Sequence, residues 1–133
     1  GSEDWAGRYG RGVALAALGR APDALPDLEA AVEHINDIDY WSALFFHSNS
    51  MPAIDLARAY IAVGRTDDAR KALDLAVDRG GGALSYLERG RLRAELGDPA
   101  GAREDLREAL RQALEAKDEA LGAQIEQELG KLP

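Results

Sequence analysis

Residues 64–76 read GRTDDARKALDLA, and their frame recurs as GRAPDALPDLEAA at 19–31 and as GDPAGAREDLREA at 97–109. Each stretch opens on a glycine and then places alanine, leucine and alanine at offsets of 5, 9 and 12. The three sets are Gly19, Ala24, Leu28 and Ala31; Gly64, Ala69, Leu73 and Ala76; Gly97, Ala102, Leu106 and Ala109. Residues three and four apart stack on one helical face, so the frame describes an amphipathic helix preceded by a glycine that ends another helix. The 33-residue step from Gly64 to Gly97 is the mark of stacked helical hairpins, none of which can bury its apolar face alone.

Outward from these frames, the first helices of the hairpins are expected over Trp5 to Leu18, Pro52 to Val63 and Leu84 to Leu96. The second helices start at Pro22, Thr66 and Asp98-Pro99, where proline loses nothing because the first-turn N–H has no helical partner. Seven residues before each marker glycine sits a small residue, Gly12, Ala57 or Gly90, which lets the two helices of a hairpin approach closely. The expected core is Leu15, Ala24, Leu28, Ala31, Leu56, Tyr60, Ala69, Leu73, Ala76, Ala102, Leu106 and Ala109. Leu121, Ile125 and Leu129 repeat at four-residue spacing within Asp118 to Leu129, which reads as a capping helix.

Composition agrees with an all-α chain. Of 133 residues 46% are apolar and only 6% aromatic, and helix formers supply most of the apolar mass. With no cysteine, disulfides, a thiolate nucleophile and cysteine-ligated metals are excluded. A net charge of −8 opposes phosphate backbones and anionic lipid, so neither nucleic acid nor a membrane is expected as a partner. The reading is of a cytoplasmic protein whose opening Gly1-Ser2 is the scar of a cleaved tag. Thirteen arginines against three lysines suggest a GC-rich, bacterial genome.

The hairpin pattern resembles the tetratricopeptide repeat, whose first helix carries tryptophan, leucine, a small residue and tyrosine, and whose second carries alanine, a bulky apolar residue and alanine. The second hairpin matches best, with Leu56, Ala57 and Tyr60 followed by Ala69, Leu73 and Ala76. The other two carry Arg11 and Arg89 where leucine is commonest, and Leu15 and Arg93 where tyrosine is expected. The resemblance implies an α-solenoid of three hairpins, at about 5–34, 50–79 and 83–114, with a cap over 118–130, in a single domain spanning 3–133. It also implies a concave face formed by the first helices. In that register the partner-binding residues are Tyr9, Val13, Ile54, Arg58, Leu87 and Arg91, with Arg58 and Arg91 in equivalent positions. Each of these arginines can fork onto a carboxylate of a partner or pair locally with Asp55, Glu88 or Glu95. Tyr9, Val13, Asp55, Leu84 and Glu88 stand where a subset of the family holds a two-carboxylate clamp of lysine, asparagine and arginine, so that clamp is absent. A groove mixing apolar residues with isolated arginines suits an amphipathic helix or a segment of the same polypeptide.

Between the first and second hairpins lies an insert, residues 35–49, holding Tyr40, Trp41, Phe45 and Phe46, half of the eight aromatics. These four either anchor a partner or a second copy of the chain, or plug the gap between hairpins. No catalytic constellation is present. His34 and His47 are the only histidines, Glu33, Asp37 and Asp39 lack the spacing of a calcium loop, and Gly80-Gly81-Gly82 lacks the lysine of a phosphate loop. The glycine run reads as the turn between the second and third hairpins. No cofactor or metal is expected. The chain reads as a non-enzymatic protein–protein interaction module for a protein or peptide, or for another domain of the same polypeptide. The alternatives are a self-association scaffold that dimerises through the insert and an accessory domain of a larger regulator or enzyme.

Overall fold

The computed structural model describes residues 5–34 and 51–133. Among the described residues there are seven helices and no strand: α1 (Trp5–Ala17), α2 (Ala21–Glu33), α3 (Met51–Ala62), α4 (Thr66–Asp78), α5 (Gly82–Glu95), α6 (Pro99–Glu115) and α7 (Glu119–Gly130). They fall into two compact units that part between Gly80 and Gly81, within the glycine run. None of these helices is long and apolar enough to cross a membrane. The aromatic insert, with Tyr40, Trp41, Phe45 and Phe46, lies outside the described residues.

In the first unit α1 packs on α2, α3 on α4, and α2 on α3. The alanines and leucine of each frame carry the packing: Ala24, Leu28, Ala31, Ala69, Leu73 and Ala76 are all fully enclosed. At Gly12 the backbone of α1 lies so near α2 that a Cβ would meet the Leu28 side chain at 2.9 Å. Trp5 stacks on His34 at 3.6 Å between ring centroids, joining the start of α1 to the end of α2. Tyr60 of α3 donates its hydroxyl to Glu29 of α2 at 2.7 Å, and the Arg65 guanidinium covers its ring at 4.7 Å.

Leu15 departs from expectation, being only half-buried. It holds the register position of Tyr60, whose side chain packs against the preceding hairpin. Among the described residues no helix stands before α1 to cover Leu15 as α2 covers Tyr60.

In the second unit α5 packs on α6 and α6 on α7. Leu87, Leu106, Ala109, Ala113 and Ile125 form its core, flanked by partly buried Leu84, Tyr86, Leu110, Leu121 and Leu129. Gly90 repeats the close approach of Gly12: a Cβ there would stand 3.0 Å from Cγ of Leu106. The cap helix α7 buries Ile125 and half-buries Leu121 and Leu129, as its four-residue spacing predicts.

Four turns share one geometry. Gly19, Gly64 and Gly97 adopt φ of +77°, +80° and +80°. Their N–H groups donate to the carbonyls of Ala16, Ile61 and Ala94, and the following N–H reaches back to Leu15, Tyr60 and Arg93. This pair of bonds is the Schellman closure, which satisfies the last carbonyls of the helix and requires a left-handed residue. The α6–α7 turn makes the same two bonds, from Lys117 to Leu114 and from Asp118 to Ala113, but its left-handed residue is Lys117 at φ 60°. The helix that follows begins in one of two ways. Asp98 and Asp118 cap α6 and α7 through Gly101 N and Leu121 N at 3.0 and 3.1 Å. Arg20 and Arg65 occupy the cap positions of α2 and α4 without capping and instead pair with Asp23 and Asp68 in the first turn, so Thr66 starts its helix without serving as its cap.

A side chain in the left-handed region costs about 1 kcal/mol that glycine does not. Lys117→Gly is therefore expected to raise the stability of the second unit by up to about 1 kcal/mol, read as a higher urea midpoint. An unchanged or lower midpoint would show that the turn carries no strain.

Candidate binding groove and buried arginine–aspartate ties

The two arginines that break the apolar pattern of the first helices have a structural partner each. Asp27 of α2 is 3% exposed, and Arg11 meets it as a fork, Nε to Oδ2 at 2.7 Å and Nη2 to Oδ1 at 2.8 Å. Arg8 adds a third bond to Oδ1 at 3.1 Å. In the second unit Asp105 of α6, also 3% exposed, takes the same fork from Arg89 at 2.9 Å on both arms, and Arg93 adds a bond at 2.9 Å. Two parallel charge-assisted bonds fix the side chains in angle as well as distance. The equivalent pair in the second hairpin is Leu56 and Ala72, both buried. The hairpins thus close this position in two ways, with an ion pair or with an apolar contact. An acid sixteen residues beyond the arginine, at 11→27 and 89→105 but not at 56→72, was the sequence signal for the tie.

The six expected partner-binding residues separate into two groups. Tyr9, Ile54 and Leu87 are 2%, 0% and 0% exposed. A wholly enclosed side chain presents little area to a ligand, and these three take part in the packing of the hairpins. The Tyr9 hydroxyl donates to Asp55, and burial, reinforced by that carboxylate, pushes the phenol far above its ordinary range. Tyr60 is likewise pushed up to about 12, by burial first and by Glu29 second.

Val13, Arg58 and Arg91 remain accessible. Arg58 pairs with Asp55 one turn away at 3.9 Å, and Arg91 reaches Glu88 at 3.5 Å and Glu128 of α7 at 3.3 Å. Arg58 thus pairs within its own helix, and Arg91 pairs both within α5 and across to α7. Val13 and Arg58 line one cavity of about 310 Å³ in the first unit, between α1 and α3. Its walls are small and apolar, Ala16 and Ala17 from α1 and Ala59 and Ala62 from α3, with the Asp55–Arg58 pair at one side. Such a groove accepts an apolar side chain on its alanine floor and offers an arginine to an acidic neighbour. Among the described residues no cluster of histidine, aspartate or glutamate is arranged to hold a metal.

Helical hairpins closed by a glycine turn, with a small residue facing the leucine of the second helix, define a helical-repeat protein. The model of the tetratricopeptide repeat matches residues 1–39 and 54–124, and the chain belongs to that family. Two solved structures share its fold, those of PcrH in complex with the chaperone binding region of PopD and with that of PopB. The first is 18% identical with a TM-score of 0.74, covering 92% of this chain and 86% of that one. The second is 19% identical with the same TM-score, covering 93% and 94%. No curated protein sequence matches the chain.

Two outcomes test the ties. Asp105→Ala strands two arginines beside the core and is expected to cost about 2–3 kcal/mol. Arg89→Leu combined with Asp105→Ala, which copies the second hairpin, should cost less than Asp105→Ala alone. Additive losses in urea denaturation would mean that the pair is not coupled. The second outcome concerns acid. The bonds from Arg11, with Arg8 behind them, hold Asp27 below the ordinary carboxylate range. On acidification the unfolded chain takes up this proton first, so the contribution is complete above about pH 4 and fades as pH falls further. Asp27→Asn should therefore lower Tm at pH 7 and lose less Tm than wild type between about pH 5 and pH 2. Parallel Tm curves would count against the tie.

Proposed function

We propose that this protein is a non-enzymatic protein–protein interaction module that holds a segment of a partner polypeptide in the groove between α1 and α3. The observation that carries this reading is the groove itself, an alanine-floored cavity of about 310 Å³ with Val13 and Arg58 on its walls. Membership of the tetratricopeptide repeat family supports it, as does the likeness in fold to PcrH, whose solved structures hold chaperone binding regions of PopD and PopB. The segment that suits the groove carries a small or branched apolar side chain next to an acidic residue. The apolar group removes alanine surface from water, and the carboxylate shares Arg58 with Asp55. The partner is another protein or another domain of the same polypeptide. A homodimer through residues 35–49 is the competing reading, and it predicts a mass that rises with concentration.

A random dodecapeptide library displayed on phage supplies the probe. Peptides selected on the wild type should be enriched in an apolar–acidic pair and should bind Ala62→Trp at least tenfold more weakly. Ala62 is exposed, so the variant fills the groove without touching the core, and its Tm should match wild type. Selected peptides that bind wild type and Ala62→Trp equally would place recognition elsewhere.

A further inference from the structure

The second unit carries a charged surface that plays no part in the groove. A cavity of about 910 Å³ opens along α5 and α6, and five arginines line it: Arg89, Arg93, Arg103, Arg107 and Arg111. Only three acids stand among them, Glu104, Asp105 and Glu108, in a chain whose net charge is −8. Five arginines against three acids give this lining a positive excess on an acidic molecule.

Arg103, Arg107 and Arg111 are successive at four-residue spacing on α6, so they rise in a row about 6 Å apart. Their local partners differ. Arg111 is held by Glu108 and Glu115, drawing Glu108 down to about 2 through its bonds to Arg111 and then to Gln112. Arg103 donates to the carbonyl of Pro133 at 2.5 Å. Arg107, exposed at the centre of the row, has no hydrogen-bond or ion-pair partner among the described residues. Asp105, on the buried side of α6, is already saturated by Arg89 and Arg93.

We infer that this row is a docking surface for an acidic helical segment of a partner protein, one that presents carboxylates on successive turns. Spacing argues for a helix, because carboxylates at i, i+4 and i+8 match the pitch of the arginine row. Charge argues for a short acidic segment over a nucleic acid. A long polyanion feels the whole chain's −8, whereas a short segment bound within the cavity feels mainly charges inside a Debye length of about 8 Å. Planar guanidinium groups then supply the paired bonds that fix register.

The test uses the 133-residue chain and a fluorescein-labelled helical peptide with glutamate at every fourth position on one face, against the same peptide with glutamine. Fluorescence polarisation should show binding of the glutamate peptide only, weakened at least tenfold between 50 and 300 mM salt. Arg107→Glu should reduce it at least tenfold with an unaltered Tm, and Ala62→Trp should leave it unchanged, which separates this surface from the α1–α3 groove. The inference is overturned if neither peptide binds, if Arg107→Glu binds as wild type does, or if inorganic phosphate or a DNA oligonucleotide competes as well as the unlabelled glutamate peptide.

Discussion

The close approach of two backbones inside a hairpin is the constraint on which everything else rests. At Gly12 and Gly90 no Cβ fits without displacing the facing leucine, Leu28 or Leu106. The second hairpin manages with Ala57, itself wholly buried. These helices reverse direction in three residues, and the left-handed turns at Gly19, Gly64 and Gly97 do so while satisfying the carbonyls of the helix they end. Contact distance thereby dictates both the small residue in the first helix and the glycine after it. The alanines flanking each leucine follow, since a longer side chain there would separate the helices again.

The second helices were legible because three copies align within one chain, and repetition distinguishes a frame from chance. All three alanine–leucine–alanine sets are enclosed as the spacing implies. The register said less about the first helices. Periodicity shows which residues share a stripe, but depth depends on what lies against the stripe, and so Tyr9, Ile54 and Leu87 pack inward while Val13, on the same helix as Tyr9, stays accessible. Leu15 fails for the complementary reason: among the described residues no helix covers it as α2 covers Tyr60. Asp27 and Asp105 escaped notice because an acid on a helix reads as solvated until a guanidinium is seen to reach it.

The two surfaces drawn from this scaffold differ in kind. The α1–α3 groove is small, alanine-lined and nearly neutral, with Arg58 already engaged by Asp55. The α5–α6 face is broad and charged, with Arg107 at its centre. An apolar groove gains most from area removed from water and is little affected by salt. A row of arginines gains from charge and orientation and weakens as salt screens it. Hairpins of nearly one backbone design can thus serve unlike ligands, because the residues that define the hairpin point inward and leave the outer positions unconstrained.

The arginine–aspartate tie also bears on how such chains change over generations. Both members of each tie sit in one hairpin, Arg11 with Asp27 and Arg89 with Asp105, so a hairpin that is copied or exchanged whole carries a satisfied pair with it. A crossover inside a hairpin that keeps the buried aspartate but not its arginine would leave that carboxylate unpaired and cost several kcal/mol, on the order of a small domain's margin. Inheritance is thereby confined to intact hairpins, with the segments between them, residues 35–49 and the glycine run 80–82, as the tolerated joints.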